Sequence, residues 1–321
     1  MAAAIDPTEA RFPLVPTTAG HYESFFLKLC RPGERLGAWI RYTVHKRPRE
    51  APVGSLWFTL FEEAGPRASK LTLPAPAAGG GGSWVRIGEA TIGDGAAVGE
   101  AEAGVAWDIR FEAGESPLFH LPRDWMYRAR LPRTKLLSPA PAARFDGRLS
   151  VDGREIAVEG WRGMVGHNWG AQHAERWIWL HGLTPDGSWL DAAIGRVKVG
   201  PLVTPWVGNG AIAIDGRRHA LGGPRVEVRE ATDRCEFVLR GRGIAVRGTV
   251  SAPGERFVGW IYADPDGSEH QTVNCSIADM RFSVEREGRS PLELAVEGGA
   301  AYELGMRERD HGMEIQPYRD G

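Results

Sequence analysis

What most restricts the fold of this chain is its punctuation. Tight-turn signals recur along it: Asp152-Gly153, Pro185-Asp186-Gly187, Asp215-Gly216, Gly222-Gly223-Pro224, Pro253-Gly254, Asp266-Gly267, Gly288 and Gly298-Gly299. Between them lie short segments that alternate in side-chain character, the two-residue period of a strand. Residues 38–45 set Trp39, Arg41, Thr43 and His45 against Ala38, Ile40, Tyr42 and Val44. Residues 55–61 set Trp57, Thr59 and Phe61 against Leu56, Phe58 and Leu60, so both faces of these strands are expected to be covered. The 42 glycines and 22 prolines are spread along the chain, which leaves little room for helix. Residues 121–130, with Pro122 suited to a first helical position, form the best short-helix candidate. Two tandem antiparallel β-barrels with little helix follow. Pro201 and Pro205 interrupt pairing, which puts the boundary near residue 200 and divides the chain into 1–200 and 201–321.

Composition removes several function classes. A net charge of -2, from 39 basic and 41 acidic residues, supplies no field for nucleic acid or an anionic membrane. Cys30, Cys235 and Cys275 are odd in number and lack CxxC spacing, which argues against a disulfide framework and fits reduced thiols in a cytoplasm. Asp6, Glu9 and prolines break up the first twenty residues, where a signal peptide needs an apolar core, and no apolar run reaches membrane-spanning length. Residues 79–82 are a glycine run without the Lys-Ser/Thr of a phosphate loop, and no GxSxG elbow is present.

The densest group of aromatics and imidazoles runs from Gly160 through Trp161, His167, Asn168, Trp169 and His173 to Trp177-Ile178-Trp179-Leu180-His181. In a strand, Trp177, Trp179 and His181 share one face. A turn then leads into residues 189–199, where Trp189 and Asp191 are in phase. Such a surface suits an apolar small-molecule pocket with a few polar atoms, lined by Trp161, Asn168, Trp169, Trp177, Trp179, His181 and Trp189. His167, His173, His181 and Glu175 match no tight zinc spacing, so no metal and no cofactor are expected.

The run His167-Asn168-Trp169-Gly170, followed by Trp177-Ile178-Trp179 and a turn into a further strand, resembles the lipocalin-like two-barrel family of carotenoid 1,2-hydratases, tocopherol cyclases and Diels-Alderase-type pericyclases. The resemblance implies two side-by-side barrels with aromatic cavities over nearly the whole chain. It also implies a hydrophobic, isoprenoid- or polyketide-like ligand. In the family as it is known, the hydratase branch carries acidic residues beside the motif histidine; Gly166 and Asn168 stand there in this chain, which brings the resemblance nearer the cyclase-like or uncharacterised members.

Protonating a polyene at carbon requires an acid kept protonated by burial and aromatic faces that steady a cation. Asp191 and His167 are the candidate proton donors on that basis; Asp191 has the alternative role of an edge carboxylate paired with Arg176 or Arg196. Two function classes remain: a cofactor-independent cyclase or hydratase, and a non-catalytic carrier. A large aromatic pocket touching Trp177, Trp179 and at least one of His167, His181 and Asp191 would support the ligand reading; a packed, voidless interior around those side chains would leave a two-barrel scaffold of unknown purpose.

Overall fold

A computed structural model describes residues 5–102 and 104–318. It is almost entirely antiparallel strand, with three short 3-10 turns and no α-helix among the described residues. The helix expected at 121–130 shrinks to one 3-10 turn, Asp124–Tyr127. Pro132 disfavours helical backbone at Leu131, and only Asp124–Tyr127 closes a turn in the segment between Pro122 and Pro132.

Two sheets divide the chain, and each curls into a half-barrel. In both, the first strand of the unit pairs with the last. His21–Cys30 lies between Gly37–Lys46 and Arg154–Gly170 in one sheet; Arg176–Leu183 lies between Trp189–Arg196 and Leu292–Met306 in the other. Each unit also ends in a long hairpin, Thr134–Val151 with Arg154–Gly170 and Glu269–Arg286 with Leu292–Met306. This shared topology is what makes the barrels tandem.

The chain passes from the first sheet to the second at residues 171–175, not near residue 200 as the prolines suggested. Pro201 sits in the turn of the small hairpin Lys198–Val199 with Leu202–Val203, and Pro205 just beyond it, in an excursion from the second unit. Proline interrupts pairing wherever it removes a donor, but such an interruption need not change the sheet.

Alternation sets where each face goes. Phe25, Leu27, Ile40, Tyr42, Leu56 and Phe58 point into the first barrel and form its core. The opposite face of the same strands, with Phe26, Trp39, Trp57 and Phe61, joins the core that fills the second barrel, and Trp39 and Trp57 pack against Trp260. The outer face of the first sheet is therefore covered by the second sheet, the two-sided burial expected from residues 38–45 and 55–61.

Candidate functional site

Between the sheets lies a cavity of about 1170 Å³. The first sheet contributes Phe26, Trp39, Arg41 and Asn168; the second contributes Trp177, Trp179, Tyr262 and Glu303. The segment from Pro117 to Thr134 covers one side with mostly apolar groups. Exposed Trp125, Leu131 and Val199 stand at its rim. Trp177 and Trp179 project together because they alternate on Arg176–Leu183, and Phe26 meets the Trp179 ring edge-on at 5.3 Å.

Of the residues expected at the site, Asn168, Trp177 and Trp179 line the cavity, whereas Trp161, Trp169, Trp189, His167, His181 and Asp191 do not. Trp161 is in the first-barrel core. Trp169 packs with Tyr127 and Leu137 at that barrel's end. Trp189 donates its indole N–H to Glu115 at 2.8 Å, under the Arg218 guanidinium. The pleat explains the split: side chains flanking Asn168 on an extended strand must point to the other face.

His167 is a closure device for the first barrel. Its Nε2 lies 2.9 Å from Glu23 Oε1 and its Nδ1 2.9 Å from the Pro7 carbonyl. Glu23 also accepts the backbone N–H groups of Arg11 and Phe12, so this pair ties the N-terminal segment across the barrel mouth. Burial raises the Glu23 carboxyl, but hydrogen bonds and charge from His167 and His21 outweigh it and hold the pKa at about 2.

Asp191 sits one side chain behind the cavity wall. It accepts the Trp179 indole N–H at 3.2 Å and the Ser138 hydroxyl at 2.5 Å, and His120 Nε2 lies 3.4 Å away. His120, itself on the cavity wall, has Nε2 3.3 Å from Ser138 Oγ and Nδ1 3.3 Å from the Asn209 carbonyl. Burial pushes the Asp191 carboxyl up, yet the charge and hydrogen bond of His120, with the Ser138 hydroxyl, bring it below the ordinary carboxylate value. It is therefore an anion at neutral pH, which corrects its expected role as an acid kept protonated by burial. It pairs with His120, not with Arg176 or Arg196; Arg176 binds Glu230 and Glu308 instead.

His181 faces Asp191 across the strand pair and donates Nε2–H to the Pro141 carbonyl at 3.0 Å, while its buried Nδ1 has no hydrogen-bond partner. Burial, then the charge of Lys28, push its pKa down to about 4, so the ring is neutral at pH 7.

A second polar group was missed by sequence reasoning because its members come from three separate segments. His173, in the link between the sheets, donates both its backbone N–H and Nδ1–H to Asp264 Oδ1 at 2.7 Å. His270 Nδ1 lies 3.9 Å from the other Asp264 oxygen, and one potential ligand atom from each of these three residues falls within 4.8 Å of the others. No tight spacing such as HExxH could reveal this. Arg307 also reaches Asp264 at 4.0 Å, so the carboxylate already faces a cation and a strong donor pair. His173 stacks on Tyr22 at 3.9 Å, which pins the link to the first sheet. His120 was missed as well, since it lies outside any alternating segment.

No protein-family model matches the chain. Two uncharacterized proteins of Mycobacterium tuberculosis, from strains CDC 1551 and H37Rv, are each 28% identical over 318 residues, covering 95% of this chain and 93% of theirs. Among solved structures, an AttH candidate from Nitrosomonas europaea superposes with a TM-score of 0.57 at 13% identity, over 95% of this chain and 99% of its own. Kievitone hydratase from Nectria haematococca gives 0.55 at 12% identity, over 94% and 92%. Identities this low speak to fold rather than activity. What these superpositions show is that the chain shares the overall two-barrel fold of these two proteins.

Proposed function

We propose that the chain binds an apolar small molecule of isoprenoid or polyketide type in the inter-sheet cavity, and that His120 with Asp191 moves a proton to or from it. The observation that carries this reading is the cavity itself: about 1170 Å³, walled by Trp177, Trp179, Phe26 and Trp39, with an exposed apolar rim. Likeness of fold to a hydratase supports acid-assisted hydration or cyclisation as the reaction class. In hydration, one alkene carbon takes a proton, the other takes water, and that water gives up a proton. In cyclisation, the proton added at one carbon is lost from another. An imidazolium at position 120 would be stabilised by the Asp191 carboxylate, while Trp177 and Trp179 offer π-faces to a developing cation.

A carrier role is favoured by one specific observation: both His120 nitrogens and both Asp191 oxygens already have partners, so a ligand must displace one before a proton can move. Tryptophan fluorescence titrated with polyprenyl and polyketide ligands tests binding, and failure of every such ligand to change it refutes the cavity reading. Product formation abolished by His120→Gln and Asp191→Asn, with affinity retained, supports the enzyme. Release of unaltered ligand by the wild type supports the carrier.

A further inference from the structure

Arg41 is a buried cation without a matching anion. It sits on Gly37–Lys46 opposite Phe26 and Trp57, is 4% exposed, and lines the cavity. Its guanidinium carbon lies 4.2 Å from the centre of the Tyr262 ring, 5.6 Å from Trp57 and 5.9 Å from Trp39. Its buried Nη1 has no hydrogen-bond partner, and among the described residues no carboxylate oxygen comes within the 4.0 Å of an ion pair. Glu303 borders the same cavity, but its carboxylate is occupied by the Trp177 indole at 2.9 Å, the Asn274 amide at 3.1 Å and the Tyr262 hydroxyl at 3.3 Å.

Three aromatic rings attract a cation, yet they do not replace the hydrogen bonds of five N–H donors. Any ligand that fills this end of the cavity excludes solvent from the guanidinium. A pure hydrocarbon would leave the charge stripped and unpaired, one of the costliest arrangements in a protein interior. A planar anion would meet it with a bidentate pair of charge-assisted hydrogen bonds.

We propose that Arg41 is the anion receptor of the cavity, and that the ligand is an amphiphile with an apolar body ending in a carboxylate. A single guanidinium matches a single negative charge. Of the other arginines on the wall, Arg218 is already held by Glu115 at 2.8 Å and Arg242 is exposed at the edge. A dianionic phosphate would thus keep excess charge beside Glu303, which favours the monoanion. The assignment rests on the reading of the cavity as a ligand site, and the test separates the two.

A C15 isoprenoid carboxylic acid and its methyl ester share one body and differ in charge. Titrated into wild type at pH 7, the acid is expected to bind at least about tenfold more tightly than the ester. In Arg41→Met the acid-over-ester preference disappears; in Arg41→Lys part of it returns. Equal affinity for acid and ester in the wild type overturns the anion receptor and leaves the cavity reading standing. Binding of neither molecule overturns both.

Discussion

Replacing Glu23 by Gln tests whether His167 closes a barrel or does chemistry. The carboxylate is buried, lies 2.9 Å from His167 Nε2, and accepts the backbone donors of Arg11 and Phe12 at 2.7 to 2.9 Å. A carboxyl held at about 2 instead of 4.5 stabilises the folded state by about 3 kcal/mol at neutral pH. Because the folded pKa is depressed, that contribution is complete above pH 4.5 and is lost as pH falls from 4.5 towards 2. Equilibrium urea unfolding should therefore place E23Q about 3 kcal/mol below wild type at pH 7, narrowing to about 2 kcal/mol at pH 3.5. Proteolysis near Arg11 should accelerate in the variant, since its N-terminal tether is weakened. Affinity for cavity ligands should not change, because neither Glu23 nor His167 lines the cavity. Equal stability of the two proteins at pH 7, or a difference that stays constant down to pH 3.5, would refute the reasoning; so would loss of ligand affinity in a folded E23Q.

The remaining expectations follow from the same geometry. Trp161→Ala should lower stability by about 3–5 kcal/mol in urea unfolding while leaving ligand affinity intact, since the indole fills the first-barrel core. Ala193→Trp should intrude on the cavity and weaken ligand binding in a fluorescence or calorimetric titration, with little change in urea midpoint, because Ala193 is on the cavity wall. His181, depressed from 6.5 to about 4, stays neutral while the unfolded chain takes up its proton, so stability should fall as pH drops from 6.5 to 4. His181→Gln should flatten that part of the pH profile of unfolding, and an unchanged slope would contradict the assignment.

The strand architecture was legible because alternation is local: each segment carries its own two-residue period, and Trp177, Trp179 and Asp191 were placed on the right strands by it. What alternation cannot carry is the identity of the group across a cavity. Asp191 meets His120 and Ser138, far apart from it in sequence, and Glu303 meets Trp177 only because Arg176–Leu183 pairs with Leu292–Met306. The sheet boundary was obscured for a related reason. Pro201 and Pro205 are conspicuous in sequence, while the true crossing at 171–175 is marked by His173, whose tether to Asp264 depends on the second sheet already being folded.

The central motif is a matter of phase. On Arg154–Gly170, Ile156 and Val158 point into the first barrel; Gly160, at φ +63°, shifts the alternation, and from there Trp161 and Val165 point inward. His167 and Trp169 follow the same phase, leaving Met164, Gly166 and Asn168 to face the second sheet. Reading His167-Asn168-Trp169 as one functional cluster ignores the pleat that separates its members. The glycines explain why the run is built as it is. A Cβ on Gly163 would come within 1.8 Å of the Lys28 carbonyl oxygen, and one on Gly166 within 2.1 Å of the Phe26 ring. These positions let His21–Cys30 and the Phe26 ring approach closely, and that requirement belongs to the fold whatever ligand it holds. Differences in chemistry between two-barrel proteins are then to be sought in groups the motif does not contain. In this chain the groups proposed for that role are His120 on the covering segment and Arg41 on the outer face of the first sheet, both on the cavity wall.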